Sequence, residues 1–190
     1  MIKTTFFSLF LMLTGTICRS QDANNWTSSI SSEGAKDVTC IVFITTPSGL
    51  REGRFSIVKG RGAGGVLSIS LSINNVMGIT GFNFDDFEGP DSKSKEKLMN
   101  IAITGTSKDQ AFSFKPEGSY ITIKGEDGDG FEFGKYWKGK DSPLKQLVRL
   151  CAGGHGKLFI TIFDPRNKNM KLSVEIDITG NDSKFKTLLD

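Results

Sequence analysis

The sequence predicts a mainly β fold: an antiparallel β-sandwich or flattened barrel with one short helix at about 143–152 and a short C-terminal helix. Two observations carry this prediction. Short stretches of alternating apolar and polar residues recur between positions 38 and 178, and turn residues separate them. The periodicity of a helix is confined to the C-terminal part of the chain. We therefore expect strands to form most of the core.

The helix near 143–152 has an apolar face of its own. Leu144, Leu147, Val148 and Cys151 follow the i, i+3, i+4, i+7 spacing and share one side of a helix. Pro143 is suited to the first helical position, where no backbone N–H is needed. This face is expected to carry a cysteine into the core.

The strands are predicted from alternation. The clearest is 66–73, where Leu and Ile alternate with three serines, so one face should be packed and the serine face should meet water. Residues 21–37 are expected to form a loose start or an irregular first strand, and the charged stretch 85–97 a mobile surface loop. The predicted strands are 38–45, 55–59, 66–73, 79–84, 98–104, 111–114, 120–124, 130–133, 158–163 and 171–178.

The first 20 residues resemble a signal peptide. Lys3 supplies a positive charge, 6–17 form an apolar core too short to span a bilayer, and residues 18–20 fit a cleavage site. A lipoprotein anchored on Cys18 is the alternative, although Ile17 stands where that signal normally has a small residue. No later run is apolar enough to cross a membrane. We expect a single periplasmic or secreted domain at 21–190 that does not span a membrane.

The charge balance bears on possible partners. Removal of residues 1–20 takes away Lys3 and Arg19 and leaves 22 basic against 21 acidic residues. A nucleic-acid-binding domain would need a concentrated basic face. The composition therefore argues against nucleic acid as a partner.

The two cysteines of 21–190 predict a disulfide. Cys40 and Cys151 would be the pair left after signal cleavage, in an oxidising compartment where such a pair usually forms a bond. Two buried thiols that never meet are the alternative. A redox pair is less favoured, because the chain has no Cys-x-x-Cys spacing.

No catalytic residue, metal site or cofactor is predicted. His155 is the sole histidine, so a zinc site with two histidines is impossible. Asp127, Asp129 and Glu132 lack the spacing of a calcium loop and fit a solvated turn. A hydrolase that uses carboxylates alone, such as Asp127 with Glu132, stays open as a minor alternative.

One motif points to binding. Lys135, Tyr136, Trp137 and Lys138 precede the predicted helix and place two aromatic residues between cations. Such residues can stack on sugar rings or rest on an anionic surface. The alternative is that Tyr136 or Trp137 covers the core where sheet meets helix.

The order of these landmarks resembles that of the invasion-associated locus B family of exported bacterial proteins. The resemblance implies an envelope or surface β-protein linked to host-cell contact, without established catalysis. It rests on Trp26, Cys40-Ile41-Val42, the late Cys151, and an ending made of 144–150, 157–164, 170–178, Gly180 and 185–189.

The favoured hypothesis is therefore a non-enzymatic exported β-domain. It would act by binding a protein or glycan of the envelope or of a host surface. The alternative is an inhibitor of a secreted hydrolase such as lysozyme, with the loop 85–97 entering the cleft of the enzyme.

Overall fold

The structure is a computed structural model that describes residues 25–61, 66–84, 100–107, 110–114, 119–124, 130–137, 143–153, 156–164 and 166–190. Within these ranges it has ten strands, two α-helices and one 3-10 turn, Val76–Gly78. The helices are α1, Pro143–Ala152, and α2, Asp182–Lys186. The strands are β1 Trp26–Ile30, β2 Lys36–Thr46, β3 Gly49–Lys59, β4 Leu67–Asn74, β5 Asn100–Ser107, β6 Gln110–Phe114, β7 Ser119–Lys124, β8 Gly130–Trp137, β9 Lys157–Phe163 and β10 Lys171–Asp177.

All the strands belong to one antiparallel sheet. Nine of them run in the order β6-β5-β9-β10-β2-β3-β4-β8-β7, and β1 also pairs with β2. The two ends of this order, β6 and β7, do not pair with each other, so the sheet of the described residues is not closed. The predicted fold class is confirmed: a mainly antiparallel β-protein with two short helices, consistent with a sandwich or flattened barrel.

The core is formed by the inward-facing side chains of the strands together with apolar side chains of the two helices. Leu67, Ile69, Leu71 and Ile73 of β4 are buried, as the alternation predicts. Helix α1 contacts α2, β4 and β8, and its predicted apolar face is buried throughout. Each large apolar side chain removed from water in this way contributes about 1.5–3 kcal/mol to the free energy of folding. The prediction of a helix at 143–152 is also confirmed.

The N-terminal strand β1 shares one edge of β2 with β10. Strand β1 pairs with residues 36–40 of β2, whereas β10 pairs with the same edge further along, at Thr45. Trp26, the first residue of β1, is 1% exposed, and its Nε1 donates a hydrogen bond of 2.8 Å to the carbonyl oxygen of Asp177. The predicted irregular start at 21–37 thus contains a regular strand, Trp26–Ile30.

One predicted strand, 79–84, is wrong. These residues form an irregular loop after the 3-10 turn, which begins beyond Asn75 in a left-handed conformation (φ 56°). Ile79 and Phe82 are nevertheless buried, because the loop lies against the core. The loop is held by the buried side chain of Asp164, whose Oδ2 accepts a 2.6 Å hydrogen bond from the Asn83 N–H. Apolar residues here mark a buried loop.

Candidate functional site

A row of residues crosses the sheet where β2 begins and β3 ends. Lys36 and Lys59 are directly opposite each other in the β2–β3 pair. The row continues to Leu67 on β4 and then to Trp137 on β8. With neighbouring strands about 4.8 Å apart, these four positions span roughly 14 Å. The register therefore brings two lysines and an aromatic residue, far apart in sequence, to one line at the rim of the core.

Helix α1 places a third cation, Lys145, near this row. Lys145, in the first turn of α1, acts electrostatically on Lys59, as does Lys36. Burial, followed by these two positive charges, lowers the pKa of Lys59 from its ordinary value, while the carboxylate of Asp190 opposes the shift. We name Lys36, Lys59 and Lys145 the lysine cluster. Its three positive charges outnumber the nearby carboxylate of Asp190, and such an excess of positive charge can attract anions.

The acidic residue nearest to the lysine cluster in sequence interacts with a different cation. Asp37 follows Lys36, but the cation that acts on it is Arg54. Partial burial raises the pKa of Asp37, and Arg54 lowers it by a smaller amount. One carboxylate oxygen of Asp37 is buried without a hydrogen-bond partner. The carboxylate of Asp37 is therefore influenced by Arg54 of β3 and not by the lysine cluster.

The predicted aromatic motif lies partly within the described residues. Lys135, Tyr136 and Trp137 form the end of β8, which extends beyond the predicted strand, and Lys138 lies outside the described residues. Tyr136 pairs with Ser68 and Trp137 with Leu67. Successive strand positions alternate between the faces of a sheet. The register thus joins Trp137 to the row of the lysine cluster and assigns Tyr136 to the row of Ser68. The binding role of these residues stays a prediction.

The predicted disulfide is not formed in the structure, where Cys40 and Cys151 are free, buried thiols. The topology explains the difference. Cys40 is on β2, whereas Cys151 is on α1, which packs on β4, β8 and α2. A disulfide needs Cα atoms within about 7 Å, and the main contacts of α1 are with β4, β8 and α2 and not with β2. Burial raises the pKa of both thiols to about 12.

Other sequence predictions fall largely outside the described residues. This applies to Asp127, to His155 and to the loop 85–97. Glu132 lies on β8, where it pairs with Ser72 of β4. Among the described residues, no group of three or more His, Cys, Asp or Glu is arranged to hold a metal ion. Within the same residues, no helix has the length and apolar character needed to cross a bilayer.

The sequence reasoning missed the lysine cluster because it depends on strand register. Lys36 and Lys59 are separated by a hairpin whose pairing the alternation alone did not define. One signal was present: both lysines continue the inward-facing positions of their strands, two residues from Val38 and Ile57. A lysine at an inward-facing position indicates that the packed apolar side chains of the strand end there.

The chain matches no protein-family model, no curated protein and no solved structure. The resemblance to the invasion-associated locus B family stays a prediction. The function must therefore be inferred from the geometry and charge of the chain itself.

Proposed function

We propose that this protein is an exported, non-enzymatic binding domain that holds an acidic glycan of the cell envelope or of a host surface at the lysine cluster. The observation that carries the proposal is the placement of Lys36 directly opposite Lys59, with Lys145 acting on the same site. Like charges directly opposite on neighbouring strands destabilise a sheet, by roughly 0.2–1 kcal/mol. An anionic ligand would offset this cost.

Two features favour a glycan over other anions. Trp137 occupies the same row of the sheet two strands away from Lys59, and an aromatic residue along the path of a sugar chain is suited to stacking on one of its rings. The near balance of basic and acidic residues in 21–190 argues against nucleic acid. A sulfated or carboxylated sugar chain satisfies both the cations and the aromatic residue. Export of the domain rests on the predicted signal peptide at 1–20.

The ligand would be held by charge and contact, with no bond made or broken. Lysine ammonium groups act as compact charges with three donors each, and they can pair with sulfate or carboxylate oxygens without a fixed geometry. Such binding weakens as salt increases, because the Debye length falls from about 10 Å at 0.1 M to about 3 Å at 1 M. We expect affinity for anionic polymers to be strongly salt-dependent.

The test is binding of heparin and hyaluronan, as sulfated and carboxylated probes, to residues 21–190. The double variant Lys36→Met/Lys59→Met should bind the preferred probe at least about tenfold more weakly, since a charge-assisted hydrogen bond contributes about 1.5–3 kcal/mol. The matched control is Lys168→Met, an exposed lysine in the turn before β10. Wild-type affinity in the double variant, or an equal loss in the control, would refute the proposal.

A further inference from the structure

A second surface lies on the face of the sheet turned away from the helices. A groove of about 330 Å³ crosses β2, β3 and β4 there, with the backbone of Gly53 in its lining. The volume is at the lower end of the range of small-ligand pockets, which begins at about 300 Å³. This outer groove is separate from the lysine cluster and contains none of its residues.

A glycine lies beneath the groove, at a strand position that faces the core. A β-carbon on Gly53 would lie 2.1 Å from the Ser72 carbonyl oxygen and 2.6 Å from Cδ1 of Ile44. Both distances are far below van der Waals contact, and the first involves a backbone atom. Strand β3 is therefore drawn against β4 at this point, and no side chain can occupy the position.

The groove presents hydroxyl groups. Ser56 and Ser70 are opposite each other on β3 and β4, and Ser72 is opposite Arg54. The hydroxyl of Ser56 contacts that of Thr39, while Ser72 Oγ donates only a long hydrogen bond, 3.5 Å, to the Arg54 carbonyl oxygen. A bond of this length is weak. The Ser72 hydroxyl can thus exchange it for a ligand.

The main chain under the groove cannot recognise a ligand. Strand β3 pairs with β2 over its full length and with β4 from Gly53 to Lys59, so these backbone groups are committed to the sheet. An added peptide strand would need unpaired N–H and C=O groups. Recognition must therefore come from side chains, which favours a ligand that carries its own hydroxyl groups.

The remaining side chains define the charge and polarity of the ligand. Glu52 and Arg54 are both exposed and of opposite sign, and Asn74 adds an amide. Ile41 forms an apolar wall and is 43% exposed. A neutral ring with hydroxyl groups at its edge and an apolar face matches this lining. We propose that the outer groove binds a neutral saccharide.

The test is calorimetric titration of residues 21–190 with cellotetraose, maltotetraose and tetra-N-acetylchitotetraose as neutral probes. At least one should bind, and Ser72→Leu, which fills the groove, should weaken that binding at least tenfold. The matched control is Ser68→Leu, on the same strand and face but outside the lining of the groove. It should stay within twofold of the wild type. Because Asn74 is exposed at the end of β4, Asn74→Ala provides a second variant that leaves the sheet intact and should weaken binding severalfold.

The result is separable from the test of the lysine cluster. Lys36→Met/Lys59→Met should bind the neutral probe as the wild type does, whatever its affinity for heparin. The inference is overturned if no neutral tetrasaccharide binds, or if Ser68→Leu and Ser72→Leu lose affinity equally. It is also overturned if Asn74→Ala binds with wild-type affinity.

Discussion

Lys59 illustrates how a single residue can favour binding at the expense of stability. Its ammonium group is partly buried beside Lys36 and Lys145, and both effects disfavour the charged form. An anion bound there would raise the lowered pKa again. The residue that we propose to attract a ligand therefore opposes folding of the free protein, which is a frequent property of functional sites.

This conflict predicts how stability depends on pH. Because the pKa of Lys59 is lowered in the folded state, the folded protein binds fewer protons between that value and the ordinary value of 10.5. The free energy of unfolding contributed by Lys59 therefore rises as pH increases through this interval. Lys59→Met should be at least as stable as the wild type at pH 7, and the difference should shrink towards pH 10.5.

Urea unfolding at several pH values measures this difference, with Lys168→Met as the control for loss of an exposed charge. The comparison of variant with wild type removes the titration of the groups that do not interact with Lys59. A variant that is less stable than the wild type by the same amount at every pH would contradict the prediction.

The two thiols show how burial determines reactivity. With a pKa of about 12, Cys40 and Cys151 hold on the order of one thiolate in ten thousand at pH 8, and the thiolate is the reactive form. Both side chains are also within the core. We expect residues 21–190 to resist Ellman's reagent when folded and to release two equivalents of thiol in denaturant. Complete absence of thiol in denaturant would instead show a disulfide.

At the scale of elements, β1 is held at one end. Beyond Trp26 its residues are exposed, so the strand depends on the contacts of that tryptophan. The ring packs edge-on against Phe185, at 4.7 Å between centroids, and against Phe55, at 5.9 Å. The backbone carbonyl oxygen of Trp26 accepts a hydrogen bond from Nζ of Lys184. Trp26 thereby joins the first strand to the last helix.

Substitution of this tryptophan should release the strand. Trp26→Ala is expected to lower the free energy of unfolding by about 3–5 kcal/mol, as for other large aromatic residues in cores. Amide exchange should accelerate in β1 before it does in β3. Trp26→Phe is the matched control, since it keeps much of the apolar burial and loses the hydrogen bond to Asp177, at a cost of about 1–3 kcal/mol. Equal stability of the two variants would contradict this account.

At the scale of the whole molecule, alternation predicted the strands best where one face is packed. Strand β4 follows its pattern residue by residue, with its Leu and Ile side chains buried. The loop at 79–84 was mistaken for a strand because buried apolar residues occur there without a partner strand in the sheet. Alternation reports burial, and it does not show whether a segment is paired.

The candidate site was less predictable for the same reason. Trp137 was recognised as a candidate, but its place in the row of Lys36 and Lys59 follows from three successive strand pairings. The disulfide prediction failed similarly, since a count of cysteines does not show that α1 packs over β4 while Cys40 lies on β2. Sequence patterns identify residue types, and register decides which of them meet.

The division of one edge of β2 between β1 and β10 has a consequence for self-association. Strand β1 occupies the backbone groups of residues 36–40, and β10 reaches that edge only at Thr45. Proteolysis after Ile30 would uncover a short row of N–H and C=O groups beside a hydrophobic interior. Such an opening recruits strands from other molecules. We therefore expect loss of the N-terminal strand to promote self-association through this edge of β2.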